Sequence, residues 1–247
     1  MFKTIVLGRV SALGRPLLFT ATFGVLIALA ATASAQSFNV DFGSYYGSPN
    51  AAYGAAANQV GTWTTISTTG SAVALQNLGG TTSSSLLTVT AQSIDGQASA
   101  HTGNENALLD DNFFSQSPAL WSVSVTGLTN GFYSLYYYAP SNGAVDTGSF
   151  SANGVVAANI TGSSLGGATF TQGVDWQVVA NVPVAAGTLS LNDLTNPSVP
   201  GYTGLAGVQL VYTGLVPTNV PEPSTWAILG AGVAGLGLVG LRSRAGA

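Results

Sequence analysis

His101, Glu105, Asp110 and Asp111 are the residues of this 247-residue chain whose types and spacing carry the most chemistry. They sit close together on a segment rich in Asn, Gly and Gln. Two carboxylates flanking a glycosidic bond act as acid and base in sugar hydrolysis. A histidine with carboxylates can also hold a metal. Glu105, Asp110 and Asp111, helped by nearby carbonyl oxygens, offer the hard oxygen ligands that Ca²⁺ takes from irregular loops, and Asp41 can serve similarly near the chain ends. A lone histidine on a solvated acidic loop accounts for the same residues without any site. Nucleophilic chemistry has less support. Serines are many, but the Gly-x-Ser-x-Gly spacing at Gly162-Ser163-Ser164-Leu165-Gly166 lacks the strand-to-helix context of a nucleophile elbow. Gly79-Gly80 and Gly166-Gly167 lack the lysine and the strand-to-helix context of a phosphate loop. No catalytic residue is assigned, and the chain reads as a non-enzyme.

Aromatic residues offer a second route. Tyr45, Tyr46 and Tyr53 lie in a Gly/Ser/Ala-rich stretch, and Phe113-Phe114 follow the acidic segment. An exposed aromatic can stack on the apolar C–H face of a sugar ring, whereas a buried one only packs. Three successive tyrosines, Tyr136, Tyr137 and Tyr138, cannot all face inward on a strand, because side chains alternate.

These groups stand on a chain with an unusual charge distribution. Its basic residues are Lys3, Arg9, Arg15, Arg242 and Arg244, all near the two ends. Residues 36–220 hold no Lys or Arg, but they hold Asp41, Asp95, Glu105, Asp110, Asp111, Asp146, Asp175 and Asp193. Nucleic-acid binding is excluded, because counterion release needs basic side chains. Lys and Arg ion pairs cannot form inside this segment, so its fold rests on apolar burial and backbone hydrogen bonds. Cysteine is absent, which removes disulfides and thiolate metal sites. Trypsin likewise has no site between Gln36 and Leu241. A heat-denatured tryptic digest of the exported protein is expected to return this stretch, or its processed equivalent, as one mass. An internal cut would contradict the residue count.

The elements that must position the candidate residues are strands. Phe38–Phe42, Gly61–Ser67, Leu86–Ala91, Trp121–Thr126, Phe132–Ala139, Gln177–Val182, Thr188–Leu191 and Gly207–Tyr212 are short, rich in Val, Thr and aromatics, and bounded by Gly, Asn, Pro or Ser. Trp121, Val123 and Val125 alternate with Ser122, Ser124 and Thr126. Trp176, Val178, Ala180 and Val182 repeat the pattern. Asn130-Gly131 and Asn153-Gly154 each fit a two-residue hairpin turn. No sustained helical period occurs in this part, and residues 51–58 allow one helical turn at most. The expected fold is all-β: a single antiparallel β-sandwich or jelly roll over residues 36–216.

The two ends are of another kind. Lys3, Arg9 and Arg15 precede an apolar stretch from Leu17 to Ala31, and Ala33-Ser34-Ala35 supplies small residues for cleavage. Residues 1–35 therefore read as a signal peptide for the Sec translocon and signal peptidase, with cleavage between Ala35 and Gln36. At the other end, residues 217–247 contain Val220, Pro221, Glu222, Pro223, Ser224, Thr225 and Trp226. The prolines enforce a stiff extended piece, Ser224 or Thr225 can cap a helix, and Trp226 suits a membrane interface. From Trp226 to Leu241 no residue is charged, giving about 24 Å of helix. That is short against a hydrocarbon core of roughly 30 Å. Arg242 and Arg244 then stop transfer and place the C-terminus in the cytoplasm.

This order of triplet, apolar helix and basic end resembles the PEP-CTERM sorting signal of Gram-negative bacteria. The resemblance covers Val220 to Arg244. It implies exosortase, a membrane-embedded cysteine transpeptidase, as processing partner, and a cell that makes exopolysaccharide. It also implies an inner-membrane precursor that is then moved to the cell surface or extracellular matrix. A looser resemblance spans residues 38–213. Phe38-Asn39-Val40-Asp41-Phe42, Ala107-Leu108-Leu109-Asp110-Asp111, Leu128-Thr129-Asn130-Gly131-Phe132-Tyr133 and Gly204-Leu205-Ala206-Gly207-Val208-Gln209-Leu210 are similar to segments of galactose-binding-like jelly rolls. Related modules often bind carbohydrate on a loop face and hold a structural calcium. The combined expectation is a non-catalytic structural or glycan-associated surface protein, with a neutral exopolysaccharide as its partner. A secreted hydrolase of neutral glycans and a calcium-stabilised adhesin are the alternatives.

Overall fold

The computed structural model describes residues 36–96, 101–141, 145–162, 170–195 and 201–215. The signal peptide, the sorting motif and the expected membrane helix 226–241 lie outside them. Among the described residues, no helix is long and apolar enough to cross a membrane.

Among the described residues, fifteen strands and one helix occur in the order β1 (Phe38–Phe42), β2 (Trp63–Ile66), β3 (Ala72–Gln76), β4 (Thr82–Thr90), β5 (Ser93–Gly96), α1 (Gly103–Leu109), β6 (Asp111–Gln116), β7 (Ser122–Thr126), β8 (Gly131–Tyr138), β9 (Val145–Asp146), β10 (Phe150–Ala152), β11 (Val155–Ala157), β12 (Trp176–Val184), β13 (Leu189–Asp193), β14 (Tyr202–Leu205) and β15 (Gly207–Gly214). They form a five-stranded sheet ordered β12-β8-β15-β1-β2, a six-stranded sheet ordered β11-β10-β13-β7-β4-β3, and a four-stranded sheet ordered β5-β6-β14-β9. Pairing is antiparallel except at β1–β2 and β9–β14. The protein is an all-β sandwich, as its short alternating runs predict.

The main core lies between the two larger sheets. Phe38, Val40 and Phe42 of β1 and Tyr133, Leu135 and Tyr137 of β8 meet Leu87 and Val89 of β4 and Val123 and Val125 of β7. Trp121 stands at one end, with ring centroids 5.2 Å from Phe113 and 5.4 Å from Phe150. Each fully buried side chain of this size contributes roughly 1.5–3 kcal/mol from its removal from water. The Trp121/Val123/Val125 alternation holds, since all three are buried.

The alternation expected through Trp176, Val178, Ala180 and Val182 fails. A bulge between Val179 and Val182 shifts the register against β8, with Asn181 at φ 57°. Val179, Val182 and Val184 then face the core while Ala180 is exposed. The extra residue of a bulge flips the facing of the residues beyond it.

Asn153-Gly154 does join the paired strands β10 and β11, with φ of 45° and 86°, the left-handed values a type I′ turn requires. Asn130-Gly131 does not make a hairpin. It connects β7 of the six-stranded sheet to β8 of the five-stranded one, so it passes between sheets. Residues 51–58 form turns and bends rather than a helical turn, and the helix falls instead on α1.

The outer face of the five-stranded sheet is also covered. Trp63, Leu108, Leu109, Tyr138 and Ala206 form a second apolar cluster, with Tyr53, Phe170 and Trp176 against it. This accounts for the tyrosine triplet: Tyr137 enters the main core, Tyr138 the second cluster, and Tyr136 stays half-buried. A buried polar network pins the 50–61 segment onto the same face. The Asn39 side-chain amide donates to the Gln59 carbonyl at 3.1 Å, and that of Gln209 donates to Asn39 Oδ1 at 2.9 Å. The Gln59 side chain donates to the Leu210 carbonyl at 3.1 Å. Removing one partner would strand a buried amide at a cost of roughly 1–3 kcal/mol.

Candidate functional site

Glu105, Asp110 and Asp111 are neighbours in sequence, but the structure sends them to three different surroundings. Glu105 and Asp110 belong to α1 and its C-terminal cap, and Asp111 opens β6. Asp110 keeps a helical backbone (φ −96°, ψ −9°), so the change to extended geometry between the two aspartates turns their side chains apart. The segment is not the solvated acidic loop that its composition allows but a short helix followed by a strand, with Asp110 and Asp111 wholly buried.

Asp110 is an internal acceptor. His101 Nδ1 lies 3.0 Å from its Oδ1, and Asn106 Nδ2 donates to its Oδ2 at 2.6 Å. The Ser141 hydroxyl donates to Oδ1 in a short contact. Ser, His and Asp thus meet, but serine and histidine both address the same carboxylate oxygen. A catalytic triad needs the serine on the histidine's other nitrogen. This arrangement instead ties α1 to the end of β8. Glu105 faces Tyr53, where its carboxylate and that of Asp175, together with burial as the larger cause, push the tyrosine hydroxyl above its ordinary value.

Asp111 turns toward Asp41. Its Oδ2 accepts the backbone N–H of Tyr46 at 3.0 Å. The backbone around it comes very close: a Cβ at Gly43, where φ is 136°, would stand 2.3 Å from the Asp111 Cβ. Only glycine allows this approach. Asp41 lies on the outer face of β1, fully buried, and neither of its oxygens meets hydrogen-bond geometry with a described residue. Burial pushes its carboxyl up to about 9, the Asp111 charge adds to the rise, and the Ser48 hydroxyl offsets part of it. Ser48 also meets the Thr65 hydroxyl on β2 in a short contact. Among the described residues no three His, Asp or Glu side chains converge as a metal site. Asp41 and Asp111 are two carboxyls that act on each other, with Ser48 beside Asp41.

The tyrosines also separate. Tyr45 is 75% exposed and meets Tyr46 edge-on at 4.9 Å. Tyr53 is half-buried and packs on Phe170 at 5.3 Å, and among the described residues its hydroxyl has no hydrogen-bond partner.

Asp175 and Asp193 are internal acceptors too. Asp193 takes the Thr195 N–H and the Thr203 hydroxyl, both at 2.7 Å, and Asp175 takes the Thr171 N–H at 2.8 Å. Asp41, Asp110, Asp111, Asp175 and Asp193 are buried, and Glu105 and Asp146 are half-buried. The net charge implied an acidic surface. In the structure the carboxylates whose exposure is described are turned inward instead, most of them held by backbone N–H groups and hydroxyls. The sequence signal for this is faint: Asp146-Thr147-Gly148 and Asp193-Leu194-Thr195 have the spacing of side chains that bond the backbone two residues on.

Fold and interior thus define an all-β sandwich that draws carboxylates inward. Its place in the cell is set by another part of the chain. Residues 219–245 match the PEP-CTERM protein-sorting motif. That motif marks an exported protein, made as a membrane-anchored precursor, processed by exosortase and sorted to the cell surface. No curated protein matches the chain. Protein YxiM of Bacillus subtilis is similar in structure at 16% identity and a TM-score of 0.41, over 74% of this chain and 41% of that one. CBM32-3 from a family 31 glycoside hydrolase of Clostridium perfringens is similar at 11% identity and a TM-score of 0.29, over 51% of this chain and 91% of that one.

Proposed function

We propose that the sandwich is a non-catalytic, glycan-associated module of the bacterial cell surface or extracellular matrix. The observation that carries this is the placement of charge. Residues 36–220 have no basic side chain to hold an acidic polymer, and the seven carboxylates whose exposure is described are buried or half-buried. An uncharged, hydroxyl-rich polymer is the partner such a surface suits, and steering by net charge is not available to it. The polar groups that would serve hydrolysis, His101, Asp110 and Ser141, are committed to one another inside the fold.

The test is affinity electrophoresis of the exported protein in gels containing dextran, galactomannan or polygalacturonate. Retardation by a neutral polymer, equal at low and high salt, is expected. Retardation by polygalacturonate alone, or by none, would sink the reading. Release of reducing ends from a retarding polymer would convert it to the hydrolase. A second reading, stabilisation by calcium, is favoured by the Asp41–Asp111 pair. Oxygen ligands of this kind suit Ca²⁺, and a cation there would offset the charge that the pair acquires when Asp41 loses its proton.

A further inference from the structure

A cleft of about 360 Å³ opens where β13 ends, β14 begins and β9 lies alongside. It is separate from the Asp41–Asp111 pair and from the His101–Asp110–Ser141 cluster. Its apolar walls are unusual for an outer surface. Leu120 is 47% exposed, Leu194 50% and Tyr202 36%, and all three line it. The Tyr202 ring packs edge to face with Phe114 at 5.6 Å and 78°, which limits its rotation. Polar groups line the cleft as well. Asp146 accepts the Gly148 N–H at 2.9 Å and the Asn159 side-chain amide at 3.3 Å. Asn159 Oδ1 in turn accepts the Thr147 hydroxyl at 3.1 Å. Thr195 lines the same cleft, and among the described residues its buried Oγ1 has no hydrogen-bond partner.

The geometry assigns this cleft as a binding site for a single neutral sugar unit of a polysaccharide, an assignment that rests on the glycan-associated reading above. Tyr202 and the leucines present an apolar surface for the C–H face of a pyranose. Asp146 and Asn159, held in place by their own loop, present acceptors and a donor for its hydroxyls. A hydroxyl donating to a carboxylate makes a stronger bond than one donating to a neutral acceptor. The same carboxylate, with no cation near it, repels a uronate or sulfated sugar. The volume lies at the small end of ligand pockets, roughly 300–1,000 Å³, so the cleft takes one ring and leaves the rest of the polymer outside. Because the groups are already fixed, little ordering is lost on binding.

The experiment uses the exported protein in dextran and galactomannan gels, comparing wild type with Tyr202→Ala, Asn159→Ala and Tyr45→Ala. Losing the ring is expected to weaken retardation roughly tenfold, and losing the Asn159 amide to weaken it severalfold. Tyr45→Ala, an exposed aromatic outside the cleft, is expected to run as wild type. Thermal unfolding of each variant identifies any loss caused by misfolding. Asn159 is exposed, so its variant keeps the test valid if Tyr202→Ala does not fold. If both cleft variants bind as wild type, or if Tyr45→Ala alone loses binding, the site is wrong while the glycan reading survives. If wild type binds neither neutral polymer, that reading fails and the site fails with it.

Discussion

Asp41→Asn is expected to stabilise the sandwich, and the gain is expected to grow from about pH 5 to about pH 8. Wild-type Asp41 is buried beside Asp111, with its carboxyl pushed up to about 9 from 3.8. Below the lower value it is protonated in both folded and unfolded chains and has no effect on the pH slope. Between the two values the folded state keeps a proton that the unfolded state releases. Stability is therefore full at low pH and lost as pH rises through this window, by about 1.4 kcal/mol per unit. Between pH 5 and pH 7 alone the loss amounts to roughly 2–3 kcal/mol. Asparagine keeps the uncharged shape at every pH and removes this slope. Urea unfolding with chelator present, across that range, compares the two proteins. Parallel slopes would show that Asp41 ionises freely in the folded state. Added calcium tests the second reading on the same samples. A cation held only by the folded state raises stability by RT ln(1 + [L]/Kd). It should restore wild-type stability at high pH and leave Asp41→Asn unmoved. Equal midpoints with calcium, with chelator and with salt of matched ionic strength would remove the cation reading.

The second large effect concerns the tail. Glu222→Ala, or deletion of the host's exosortase, is expected to leave nearly all of the protein as an unprocessed inner-membrane form. Glu222 is the one charged residue between Asp193 and Arg242, and it sits between two prolines that the sequence predicts to be rigid and extended outside the membrane. A recognition step that reads the triplet loses both charge and context with this substitution. Fractionation and immunoblotting against wild type give the answer. A mutant of wild-type size and location would mean that the matched motif at 219–245 does not govern the sorting of this protein.

The sequence by itself determined those properties that depend on neighbouring residues. The sorting motif is a contiguous signal and was legible whole. So was the all-β class: β1 coincides with the expected Phe38–Phe42, and Trp121, Val123 and Val125 point inward because a period of two requires it. Asn153-Gly154 made its hairpin because a left-handed turn needs only local residues of the right kind. The missed strands are mostly short and take their extended form from partners, as β9 does from β14. The tertiary structure alone decided where each strand went and which polar atoms found partners. Asn130-Gly131 has the same turn chemistry as Asn153-Gly154, yet it crosses between sheets because β8 pairs with β12 and β15. Asp110 and Asp111 are adjacent, yet one meets His101 and the other approaches Asp41. Asn39 and Gln209 complete each other's hydrogen bonds across most of the chain. Composition implied eight charges on a surface, and the fold turned the described ones inward. A carboxylate's surroundings are set by whichever distant backbone N–H groups and hydroxyls the packing brings to it, and no local pattern specifies those.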